Sequence, residues 1–146
     1  MRVLAEDVFR RVRSRRFLKF GTIGASGIIV NLAVLVFSRE VLFSRVASSA
    51  LRLNLALGVA IFCATLSNFT WNRRWTWAEH RGGMTGTWLS QFGRYALACW
   101  ISIALQAIIT NVLAARASYV LANLTAIGLT TIVNFVANDV WTFRAR

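Results

Sequence analysis

Four stretches without a single Asp, Glu, Lys or Arg limit what this chain can become: residues 20–38, 53–72, 95–115 and 117–138, of 19, 20, 21 and 22 residues. A helix rises about 1.5 Å per residue, so roughly 20 mainly apolar residues cross the ~30 Å hydrocarbon core of a bilayer. Each stretch fits one crossing. Buried helices of a soluble domain would carry a charged outer face, and these stretches have none. The first could be read as a secretory signal after its basic leader, but it is too long for a cleaved apolar region and no convincing small-x-small site follows it. The expectation is an all-α polytopic membrane protein with four transmembrane helices.

The charges lie between the stretches. There are 17 Lys and Arg against five acidic residues, a balance of +12. Arg2, Arg10, Arg11, Arg13, Arg15, Arg16 and Lys19 precede the first stretch, Arg73, Arg74, Arg81 and Arg94 follow the second, and Arg144 and Arg146 follow the fourth. The remaining connections hold only Arg39, Arg45, Arg52 and Arg116. Cations near helix ends are retained in the cytoplasm, which predicts cytoplasmic termini; Trp71, Trp75, Trp77, Trp88 and Trp141 fall near the same boundary, where amphipathic rings prefer to sit. Before the first crossing, Met1, Leu4, Ala5, Val8, Phe9 and Val12 recur at helical spacing among arginines. That pattern predicts an amphipathic interfacial helix over residues 1–16 on anionic lipid. A nucleic-acid-binding arm is the competing reading of the arginines, but the apolar stripe favours a membrane surface, and no nucleic-acid partner is expected. Cys63 and Cys99 lie in different uncharged stretches and read as small apolar residues.

The chain also repeats itself. Asn68-Phe69-Thr70-Trp71-Asn72-Arg73-Arg74-Trp75-Thr76-Trp77 returns 66 positions later as Asn134-Phe135-Val136-Ala137-Asn138-Asp139-Val140-Trp141-Thr142-Phe143, with five identities and a sixth pair, Trp77 and Phe143, both aromatic. Upstream, Phe17-Leu18-Lys19-Phe20 matches Phe92-Gly93-Arg94-Tyr95, a register that pairs Gly21, Gly24 and Gly27 with Ala96, Cys99 and Ser102, and Asn31 with Gln106. Two helix hairpins, about 17–77 and about 92–143, are therefore expected within a 17–146 transmembrane domain. Both begin and end on one side, so they should be parallel repeats about an axis along the membrane normal. Small residues every third or fourth place, including Ala56, Ala60 and Ala64 and their counterparts Ala122, Ala126 and Thr130, suit close helix packing. The chain has no proline, which leaves glycine-based unwinding of the first helix open.

The start of the first crossing, the hairpin layout and the twofold N-F-x-x-N-x-x-W-T-aromatic motif resemble the GtrA-like family of small four-helix bacterial membrane proteins. The likeness runs from about Phe17 to Phe143. It implies flipping of a polyprenyl-phosphate-linked monosaccharide across the bacterial inner membrane for cell-surface polysaccharide synthesis or modification. Related segments occur as membrane parts of polyprenyl-phosphate sugar synthases, which implies the alternative of a non-transporting subunit that anchors or stabilises a membrane glycosyltransferase. By resemblance, Asn68, Asn72, Arg73, Asn134 and Asn138 occupy signature positions. Asp139 departs from the pattern, standing where the first copy has Arg73, and so does Trp77, which replaces the more usual Phe.

Physically, Asn68 with Asn72, and Asn134 with Asn138, share a helical face near the predicted cytoplasmic boundary. They can cap helix ends or form a polar floor for a lipid-linked sugar. Asn31 and Gln106 sit deeper, where buried amides need partners, and suit either interhelical bonding or a substrate path. Lys19, Arg73, Arg74 and Arg94 lie at the inner boundary; topology alone places cations there, and a lipid phosphate is the sharper reading. The implied partners are the polyprenyl-phosphate sugar, anionic lipids, further copies of the chain and a candidate glycosyltransferase. Proton-coupled export needs a membrane-embedded carboxylate, which the four stretches lack. Glu40 and Asp139 read as boundary residues. His80 is the single histidine, with no metal partner or acid/base pair in view, so neither an enzyme nor a cofactor or metal site is expected.

Overall fold

A computed structural model of the chain describes residues 6, 10–12, 14–116 and 118–145. Met1, Leu4, Ala5, Val8 and Phe9 of the expected amphipathic stripe lie outside the described residues. The protein is all-α, with four long apolar helices: α1, Arg15–Phe37; α2, Ser49–Trp71; α3, Trp88–Ala114; and α4, Tyr119–Ala137. Each uncharged stretch lies mostly on one of them. Three begin at hydroxyl caps, where Ser48, Thr87 and Ser118 accept from the main-chain N–H of Leu51, Ser90 and Leu121 and satisfy a group that the first turn leaves open. α1 is unbroken through Gly21, Gly24 and Gly27, because a helix is the way to pair the backbone internally in hydrocarbon.

Three helices do not stop at their last α-helical residue. α1, α2 and α4 run on through π-helical turns at Ser38–Leu42, Asn72–Thr76 and Asn138–Thr142. With those turns the apolar helices are 24 to 28 residues long. At 1.5 Å per residue they reach about 36–42 Å, enough to cover the hydrocarbon and much of the headgroup zone. Their outer faces are apolar and bare, with Ile29, Leu32, Ile103, Ile108 and Leu124 exposed. That is the surface lipid would cover. Four such helices make this a multi-pass membrane protein.

The chain divides into two compact units, Lys19–Thr76 and Met1–Leu18 with Trp77–Arg146. In the first, α1 and α2 meet where Gly27 lies against Asn68. In the second, α3 and α4 pack along one another as a hairpin, and the short 3-10 turn Ala78–Gly83 leads into a loop that pairs Met84 with Ala145. The alanine stripes are buried as expected, at Ala56, Ala60 and Ala64 and at Ala122 and Ala126, with Thr130 beside the latter.

Candidate functional site

In the Lys19–Thr76 unit, α1 places Lys19, Thr22 and Ser26 at helical spacing, while the end of α2 and its π-turn supply Trp71, Arg74 and Trp75. The Lys19 ammonium lies over the Trp75 ring, 5.6 Å from its centroid, and donates to the Trp75 carbonyl at 3.4 Å. Arg74, Trp71, Trp75, Thr22, Ile23 and Ser26 enclose a groove of about 540 Å³. It offers a guanidinium, two hydroxyls and exposed indole faces. Arg73 sits in the same π-turn.

Deeper in this unit, Asn31 and Asn68 share a second groove, of about 290 Å³, with Gly24, Gly27 and Thr65. The Asn68 amide rests on the bare Cα of Gly27, and a Cβ there would overlap it. Its Oδ1 is buried and has no hydrogen-bond partner among the described residues. Asn72 is buried, and its Oδ1 accepts from the Thr76 hydroxyl at 2.8 Å, which ties the two ends of the π-turn together.

The other unit treats its asparagines differently. Asn138 Nδ2 donates to both the main-chain oxygen and the Oδ1 of Asn134, each at 2.9 Å, and Asn134 Nδ2 donates to Cys99 Sγ at 3.9 Å. Gln106 Nε2 donates to Asn123 Oδ1 at 3.2 Å, which also accepts from Thr110 at 3.4 Å. Gln106 therefore bonds across the α3–α4 hairpin. Asn123 was not legible as its partner from the repeat. Arg94 braces the loop, donating to the carbonyls of Thr85 at 3.0 Å and Trp141 at 3.1 Å.

Two residues assigned to the boundary are buried within the protein. Trp77 is not open to lipid but fully buried, stacked on Phe143 at 4.4 Å and on Phe135 at 5.8 Å; the other four indoles assigned to the boundary, Trp71, Trp75, Trp88 and Trp141, are exposed. A buried indole N–H needs an acceptor, and Trp77 Nε1 finds one in Asp139 Oδ1 at 2.8 Å. Asp139 is likewise buried. Its Oδ2 accepts from Arg11, and Arg16 lies 3.7 Å from Oδ1. Arg16 also pairs with Glu79 at 2.7 Å. Charge counting assigned both arginines to the lipid surface; here they meet a carboxylate. The available signal was the departure of Asp139 from the first motif copy, since it is the one acidic residue after Glu79.

A family model described as GtrA/DPMS, transmembrane domain, matches residues 19–143. The chain belongs to this family. No curated protein matches it. The GtrA/DPMS match takes in both decapeptide motifs, their π-turns and every candidate site residue from Lys19 to Asn138. It stops short of Arg11 and Arg16, so the arginine partners of Asp139 come from outside the GtrA/DPMS span. Among the described residues no group of three or more His, Cys, Asp or Glu is placed to hold a metal ion.

Proposed function

We propose that this GtrA/DPMS-family protein moves a polyprenyl-phosphate-linked monosaccharide across the bacterial inner membrane for cell-surface polysaccharide synthesis or modification, without catalysis of its own. The observation that carries this reading is the groove of Arg74, Trp71, Trp75, Thr22 and Ser26 beside Lys19. A guanidinium suits a phosphate through its paired donors. Hydroxyls and flat ring faces suit a sugar, and the bare apolar sides of the helices suit a polyprenyl chain. Lys19, Arg73 and Arg74 in one unit and Arg94 in the other are the cations assigned to lipid phosphates. Asn31, Asn68 and Asn72, and Asn134, Asn138 and Gln106, are the amides assigned to the sugar's route. The reading includes cytoplasmic termini, an amphipathic segment over 1–16, parallel hairpin repeats within 17–146, and assembly of several copies, because four helices enclose little room for a sugar headgroup.

A second reading draws on the family's joint description with the DPMS transmembrane domain: a membrane subunit that anchors or stabilises a polyprenyl-phosphate glycosyltransferase, with loop 81–91 as the contact. One experiment separates the two. Purified protein in liposomes is given a labelled lipid-linked sugar without any synthase. Transport predicts scrambling, slowed about fivefold by Arg74→Gln or Lys19→Gln if each cation contributes about 1 kcal/mol at a lipid phosphate. No scrambling, together with stable binding of a synthase, would replace transport with the subunit reading.

A further inference from the structure

The groove of about 290 Å³ between α1 and α2 is lined by the amides of Asn31 and Asn68 and the hydroxyl of Thr65, and among the described residues that line it none is charged. Ile28, Leu32 and Ile61 give it apolar walls. Asn68 Oδ1 is buried without a hydrogen-bond partner among the described residues, and no hydrogen bond joins the Asn31 amide to another of them. Asn31 is the 17th of the 28 residues in its span, which puts it near the middle of the bilayer. At that depth there is no bulk water to pair an amide, and an acyl chain pairs nothing.

These walls select their occupant by chemistry. An anion is disfavoured, because no cation in the groove offsets its charge in hydrocarbon. An ester or a ketone only accepts, which leaves Asn68 Oδ1 unmet. A hydroxyl both donates and accepts, so one O–H group can give its proton to Oδ1 and take an N–H from an amide. Gly24 leaves room for it, since a Cβ there would meet nothing within 4 Å. We propose that this groove binds an uncharged, hydroxyl-bearing ligand, with Asn68 Oδ1 as the acceptor and Asn31 as the second contact. The site shares no lining residue with the Arg74 groove. Its hydroxyl comes either from a monosaccharide or from an uncharged lipid alcohol, and only the first of these sources rests on the translocation reading.

The test uses the full chain in phosphatidylcholine nanodiscs and three probes with the same alkyl chain: dodecyl glucoside, dodecanol and dodecyl acetate. Native mass spectrometry reads how much of each the protein retains. A hydroxyl probe should be retained about fivefold over the acetate, the gain expected from one hydrogen bond. Asn68→Leu keeps the branched shape, removes both polar atoms and should abolish that preference. Gly24→Leu should weaken retention of the hydroxyl probe by filling the groove, whereas Gly128→Leu, at an equally open glycine of α4, should change nothing. Preference for dodecyl glucoside identifies a sugar hydroxyl; preference for dodecanol alone identifies a lipid alcohol. Retention of no probe, equal retention of all three, or a preference that survives Asn68→Leu overturns the site. If Asn68→Leu does not yield a monodisperse protein, the contrast of Gly24→Leu with Gly128→Leu decides. None of these measurements reads translocation, so a failed scrambling assay leaves their outcome standing.

Discussion

Asp139→Ala should be among the more damaging single substitutions on the polar side of this molecule, and its cost can be built from three contacts. The Trp77 indole is fully buried, and its N–H has Asp139 Oδ1 as acceptor at 2.8 Å; leaving such a donor unmet costs about 1–3 kcal/mol. The arginines behave otherwise. Arg11 and Arg16 keep 37% and 31% of their side chains accessible, so they can turn to water, and the lost ion pairs count at the exposed scale of about 0.2–1 kcal/mol rather than the 3–5 of a sealed pair. The unmet donor and the two lost ion pairs together come to about 1.4–5 kcal/mol for alanine. Asparagine keeps the acceptor and should cost about 1 kcal/mol. Trp77→Phe keeps the stacking and removes the donor, so Asp139→Ala should cost much less in that background than in the parent. Denaturant unfolding in mixed micelles measures all four proteins as a double-mutant cycle. Equal effects of Asp139→Ala with and without the indole N–H would refute this account of the hub.

Gly27→Leu should destabilise the α1–α2 contact by about 1–3 kcal/mol through overpacking against Asn68, and Asn68→Ala in the same chain should restore part of it; thermal unfolding in detergent reads both. Gln106→Leu should cost about 0.6 kcal/mol, the average for a polar contact between membrane helices. Asn123→Leu should cost a similar amount, and the double variant little more than either alone, whereas full additivity in the same unfolding assay would show that the two amides act separately.

The helices were legible because exclusion of charge is a demand of the bilayer that each residue must meet by itself. Their ends were less so. The last uncharged residues, Asn72 and Asn138, are where α-helical geometry gives way to π-helical turns rather than where the helices stop. Hydropathy carries no record of a change from i+4 to i+5 pairing, although in the first motif copy the Asn72–Thr76 hydrogen bond gives both residues a use. Trp77 was misplaced because composition treats all indoles alike, and the burial of one beyond a π-turn depends on partners such as Phe143 and Asp139 that are distant in sequence. Asn31 and Asn68 illustrate the reverse. Asn68 was a candidate through the motif and its family resemblance and Asn31 through its depth and the repeat, and their shared groove follows from the missing side chain at Gly27.

Asp139 and Arg11 are 128 residues apart. At about 5–20 residues per second, synthesis of that interval takes roughly 6–26 s. Throughout it Arg11 and Arg16 exist without this carboxylate, and their charge is met by water, by lipid headgroups or by Glu79 once that residue is made. Closing the ion pair is then a late event in the life of the nascent chain. The same arginines can serve two tasks at different times, first holding their segment on one side of the bilayer and afterwards fastening it to the final helix.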